Sequence, residues 1–67
     1  MGAILIGYFK EQYGYRGTIE YDPETKLTYG HIVDIDEDIQ YSGTSIISAY
    51  NQYLIAVDTY IFNRPFI

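Results

Sequence analysis

A chain of 67 residues, with four Lys plus Arg against nine Asp plus Glu, carries a formal net charge of −5. It is 48% hydrophobic and 18% aromatic with no Cys, which allows one small domain (residues 1–67) and neither a disulfide nor a thiolate metal site. The acidic balance opposes direct binding to nucleic-acid phosphates. No apolar run reaches the ~18 residues of a membrane span, and no charged leader precedes one, so no membrane contact and a cytoplasmic location are expected.

Met1–Phe9 (MGAILIGYF) is a short apolar run rich in Ile and aromatics, which suits a strand better than a helix. Its role is open between a sheet strand, an arm exchanged between subunits and a cover for the helix. Lys10-Glu11-Gln12 breaks the run and Gly14 marks a bend. From Tyr15 the alternation is regular. Tyr15, Gly17, Ile19 and Tyr21 share one face, and Arg16, Thr18, Glu20 and Asp22 the other, as in a half-buried strand.

Asp22-Pro23-Glu24-Thr25-Lys26 is a turn, because Asp bonds the backbone ahead of it and Pro presets φ. The next strand runs from Leu27 to about Ile35. Leu27, Tyr29, His31, Val33 and Ile35 lie on one side, and Thr28, Gly30, Ile32 and Asp34 on the other. The acidic connection Asp34–Asp38 leads into a short strand, Ile39–Ser42, which Gly43 ends.

A helix capped by Thr44 or Ser45 runs to Ile61 or Phe62, where Asn63-Arg64-Pro65 stops it. The predicted fold is α+β: an antiparallel meander of three to four strands with one C-terminal helix packed on one face.

The helix has more apolar surface than one sheet can cover. Ile46, Ala49, Tyr53, Ala56, Val57 and Tyr60 form one stripe at helical spacing. Ile47, Tyr50, Leu54 and Ile61 form a second, about 100° around. Ile55 stands on a third side. The second stripe is expected at an interface between copies, a homodimer in the simplest case; the N-terminal segment folding back over it is the alternative.

Candidate chemistry is sparse. The Asp34–Asp38 run fails the EF-hand pattern, since the sixth position is Ile39 instead of Gly and the twelfth is Ser45 instead of Glu. Glu20 with Asp22 has no nucleophile to activate. His31, the single histidine, falls beside Leu27, Tyr29 and Val33 in the alternation, where a hydrogen-bonded structural role is commonest. Nine Tyr without a matching set of Lys and Arg fit strands and interfaces better than base stacking. No catalytic residue, cofactor or metal site is expected.

Four segments together resemble the HicB-like antitoxin family: Tyr15–Glu24 (YRGTIEYDPE), Leu27–Val33 (LTYGHIV), Ile39–Gly43 (IQYSG) and Ala56–Ile61 (AVDTYI). Their order and spacing, over about residues 13–62, carry the resemblance. It implies a partial RNase-H-like sheet with one helix and no RNase H catalysis. It also implies a role in covering a small basic mRNA-cleaving toxin, and self-association.

The sequence departs from the family in three ways. It ends at Ile67 without a DNA-binding segment, so autorepression is not expected. Ile47, Tyr50, Leu54 and Ile55 replace residues usually polar in the family. His31 and Asp34 stand where the family tends to have a basic residue and a Gly, which argues for an exposed His31 and leaves its environment open.

The expected function is therefore non-enzymatic binding of a basic protein partner, toxin or nuclease, through Glu20, Asp34, Asp36, Glu37 and Asp38. Ile47, Tyr50, Leu54 and Ile61 are the expected oligomer contacts. The alternatives are a phage- or mobile-element-encoded acidic inhibitor that mimics nucleic acid to block a host nuclease, and a purely structural homo-oligomer.

Overall fold

The alternation becomes β1 (Ile4–Tyr8), β2 (Thr18–Asp22), β3 (Leu27–His31) and β4 (Gln40–Gly43), followed by helix α1 (Ile46–Phe62), in a computed structural model that describes residues 3–62. Sheet order is β1-β2-β3-β4 with antiparallel neighbours throughout. This is the expected α+β meander with one helix. Met1 and Gly2, and the helix stop at Asn63-Arg64-Pro65, lie outside the described residues.

Two turns set the registers. Gln12 and Tyr15 exchange backbone hydrogen bonds of 2.9 and 3.0 Å around Tyr13 (φ 53°) and Gly14 (φ 82°). Two successive positive φ values make this a type I′ turn, whose twist matches that of the flanking strands. At the other end of β2, Asp22 Oδ1 accepts from Glu24 N at 2.9 Å and Asp22 O from Lys26 N at 2.7 Å. The turn predicted from Asp-Pro is therefore formed.

The core is Phe9, Ile32, Tyr41, Ala49, Tyr53 and Val57. Gly17 and Ile19 lie against the core, whereas Tyr21 on the same face is exposed. On β3 it is Thr28, Gly30 and Ile32 that are buried, while His31 is exposed. Of the environments left open for His31, the structure shows the exposed one, with the side chain and backbone hydrogen-bonded to Glu20 and Thr18. Alternation separates two faces without saying which is covered, and here ring volume decides. A side chain on Gly17 would overlap Tyr41 and lie 2.7 Å from the Tyr53 ring, and one on Gly30 would lie 2.5 Å from the Tyr41 ring. The two glycines leave room for two tyrosines.

The tyrosine hydroxyls are tied as well as the rings. Tyr41 donates to Thr18 O at 2.8 Å, and Tyr53 to Tyr15 O at 2.7 Å. No described buried side-chain polar atom is left without a partner, so two buried phenols cost the core little. Burial still holds both phenol protons more tightly than in a free tyrosine.

On α1, Ser45 Oγ caps the helix by accepting from Ser48 N at 3.1 Å. Ala49, Tyr53 and Val57 are buried, but Ile46 from the same predicted stripe is exposed. The helix crosses the end of β4 at Ser48 and Ala49, which crowd Gly43. Ile46, nearly a turn earlier, has no sheet beneath it. β3 is shorter than the expected Leu27–Ile35, because Asp34 at φ 65° turns the chain away.

Candidate protein-binding surface

With α1 on one face of the sheet, no described element covers the other face. The registers place Leu5, Glu20, Tyr29 and Ser42 in one row across the four strands. Tyr8, Thr18, His31 and Gln40 form the next. Between the Glu20–Tyr29 pair and the Gly17–Ile32 bridge, Thr18 Oγ1 receives the His31 N–H at 3.0 Å in place of a backbone carbonyl. The same hydroxyl donates to Glu20 Oε2 at 2.6 Å, and His31 Nδ1 approaches Glu20 Oε2 at 3.2 Å. This explains why Thr18, expected on a wet face, is buried. Arg16 lies with its guanidinium carbon 5.3 Å from the Tyr8 ring centre, a cation–π distance.

The Thr18–Glu20–His31 cluster is not a relay. A serine- or threonine-type triad puts the carboxylate on one ring nitrogen and the hydroxyl on the other. Here both approach Nδ1, at 3.2 and 3.4 Å, so the hydroxyl lacks a base on its far side. The arrangement instead holds one carboxylate oxygen of Glu20 in place at the centre of an open face. Among the described residues, no three His, Asp or Glu side chains converge as a metal would require.

The structure divides the expected acidic surface in two. Asp34, Asp36, Glu37 and Asp38 are exposed together in the loop from β3 to β4, closed at its base by Ile32 N to Ile39 O at 3.0 Å. Asp38 accepts from Gln40 Nε2, while Asp34 faces Arg16 Nη2 at 3.5 Å. The Asp34–Arg16 pair is exposed and contributes little. Glu20 stands apart from this loop, on the open sheet face.

The second helix stripe is also divided. Ile47 is 76% exposed and Tyr50 36%, whereas Leu54 and Ile61 are partly buried against the core. Phe9 folds over this side, its ring 5.2 Å from Tyr50 and 5.3 Å from Tyr53. The segment after β1 therefore covers part of the stripe.

Sequence reasoning overlooked the edge of the sheet. Ile4, Leu5 and Ile6 of β1 are 59%, 53% and 55% exposed. Their signal was the absence of any charge or Pro from Ala3 to Phe9, where an edge strand is usually protected by one or the other.

Among the described residues no helix is long and apolar enough to cross a membrane. Comparison with protein-family models, with curated proteins and with solved structures finds no match for this chain.

Proposed function

We propose that this domain works by binding another protein, without catalysis, in the manner of a HicB-like antitoxin that masks a small basic RNase toxin in the cytoplasm. What carries this is the uncovered sheet face, where Thr18 and His31 fix the Glu20 carboxylate among Tyr8, Tyr29 and Leu5. A held carboxylate flanked by aromatics suits a lysine or arginine of a partner, since the ordering cost is already met before binding. The exposed Asp34–Asp38 loop, apart from this face, adds negative potential that would speed encounter with a basic protein.

Two details support the resemblance. Asp34 adopts φ 65°, the left-handed region that favours Gly, at the position where the family tends to have Gly. His31, where the family tends to have a basic residue, is exposed.

The second reading is an acidic inhibitor that mimics nucleic acid. The concentration of Asp34, Asp36, Glu37 and Asp38 in one exposed loop favours it. Co-expression with a small basic toxin-like protein, where one is encoded beside this gene, separates the two. Relief of toxin-induced growth arrest by the wild type, lost in Glu20→Lys, is the expected result. The absence of such a neighbour, or relief that persists in Glu20→Lys and disappears when Asp36, Glu37 and Asp38 become amides, would favour the inhibitor. Binding indifferent to every one of these changes would leave a purely structural oligomer.

A further inference from the structure

We infer that β1 is where two copies of this chain associate, edge to edge, joining two four-stranded sheets into one. Among the described residues no strand pairs with the outer side of β1. Its outward backbone groups have no backbone partner among the described residues, and its Ile4, Leu5 and Ile6 side chains are more than half exposed. Tyr21, opposite Ile4 in the register, is exposed beside them. Such an edge is a template for another strand.

Charge selects a second copy as the occupant. Two chains of net charge −5 repel unless their contact keeps the acidic groups apart. Residues 3–9 carry no charge, so an antiparallel pairing about a two-fold axis sets Ile, Leu and Tyr of one copy against the same residues of the other. The acidic loop joins β3 to β4, with β2 between β3 and β1. At a strand spacing of about 4.8 Å it lies on the order of 10 Å or more from the β1 edge, beyond the ~8 Å screening length of physiological salt; of the nearer carboxylates on β2, Glu20 is held by Thr18 and His31 and Asp22 is engaged in its turn.

The helix is the weaker candidate for the same contact. Its exposed Ile47, Ile55 and Phe62 are interrupted by Asn51 and Asp58, and Phe9 already occupies the Tyr50 side. The register of β1 also shifts between Leu5 and Gly7. This irregularity limits the added pairing to a few residues, so the interface falls in the small class below about 1,200 Å² and the dimer dissociates on dilution.

The test is the solution mass by light scattering across a dilution series of the intact chain, with Ile6→Lys and Ile47→Lys. The expected result is a mass that rises from one chain to two. Ile6→Lys moves the midpoint at least about tenfold higher in concentration, and Ile47→Lys leaves it in place. Should Ile6→Lys fail to fold by circular dichroism, Ile4→Lys takes its place.

Because the chain has no Cys, single substitutions give an independent measurement. Oxidised Ile4→Cys, Leu5→Cys, Ile6→Cys and Tyr8→Cys should cross-link best at one position and less on either side of it, as a two-fold axis dictates, and Ile47→Cys should not. A single-chain mass at every concentration overturns the inference, as does an assembly that Ile6→Lys leaves intact, or dissociation by Ile47→Lys alone. Toxin relief reports on the Glu20 face and the acidic loop, so the two proposals fail separately.

Discussion

The seating of tyrosine rings over glycines makes a sharp prediction at Gly30. A methyl group added there would run into the Thr18 carbonyl oxygen and lie 2.5 Å from Tyr41 Cε1 and 2.7 Å from Tyr41 Cζ. Neither obstacle moves independently, because the Tyr41 hydroxyl is bonded to that same carbonyl at 2.8 Å. Overpacking of this kind costs about 1–3 kcal/mol. Disturbing the hydrogen bond adds about 1 kcal/mol. The stiffer unfolded chain of an Ala variant returns about 0.4–1 kcal/mol. Gly30→Ala should therefore destabilise by about 2–3 kcal/mol, which for a domain this small lowers Tm by roughly 10–20 °C. Gly7→Ala is the control, since nothing lies within 4 Å of its added methyl, and it should melt at or slightly above the wild-type temperature. Both are read by thermal melts in far-ultraviolet circular dichroism at matched low concentration. Melting of the two variants within a few degrees of each other would refute the ring-over-glycine account of the core.

Alkaline stability tests the buried phenols. Burial raises the Tyr41 and Tyr53 pKa above the ordinary value of 10.0. Just above pH 10 the unfolded chain has lost these protons while the folded chain keeps them, so stability is full below pH 10 and falls as pH rises further, by at most about 1.4 kcal/mol per pH unit for each tyrosine. Urea unfolding at pH 9 and pH 11 measures this, and Tyr41→Phe should flatten the slope; an equal slope in that variant would discard the cause. At the hairpin, Tyr13 holds φ 53° ahead of Gly14 and is exposed. Tyr13→Asn supplies the Asn-Gly pair that type I′ turns prefer and should raise the urea midpoint by the equivalent of about 0.5–1 kcal/mol, whereas a lower midpoint would mean that the Tyr13 ring contributes to packing.

Much of the fold was legible in the sequence because local chemistry and alternation agreed. Asp22-Pro23 specified its turn, Thr44-Ser45 the place of the cap, which Ser45 fills, and the stripe through Ala49, Tyr53 and Val57 the buried side of α1. The covered face of β3 was not legible, since Thr28, Gly30 and Ile32 look less like a core row than Leu27, Tyr29 and Val33. It becomes intelligible only when the Tyr41 and Tyr53 rings, contributed from β4 and α1, are set against it. Of the candidate site, the acidic loop was visible as a charge run. The Thr18–Glu20–His31 cluster was not, because Thr18 and His31 are thirteen residues apart and meet only through the β2–β3 register.

The division of surfaces follows from how little core this chain can build. About 60 residues bury only about 60% of the surface that an unfolded chain exposes, and here a single helix of 17 residues covers one side of the sheet. Its buried residues are Ala49, Tyr53 and Val57, and the β1–β2 hairpin reaches it chiefly through Phe9, Tyr15 and the bond from Tyr53. The far part of that hairpin, Ile4 to Ile6 with Tyr21, lacks a helical cover. The apolar residues that a larger domain would place under a second helix therefore collect at one sheet edge, while four of the nine carboxylates lie in the Asp34–Asp38 loop beyond β3. An uncharged β1 edge with the acidic loop beyond β3 is the distribution that lets like-charged copies meet through β1 and still present that loop outward to a basic partner. Association at the edge and client binding on the open face thus compete for none of the same residues except Leu5 and Tyr8, which lie in β1 and in the rows of the open face alike. Leu5→Lys is the substitution expected to weaken both, and its comparison with Ile6→Lys in the light-scattering and toxin-relief experiments measures how far the two surfaces are coupled.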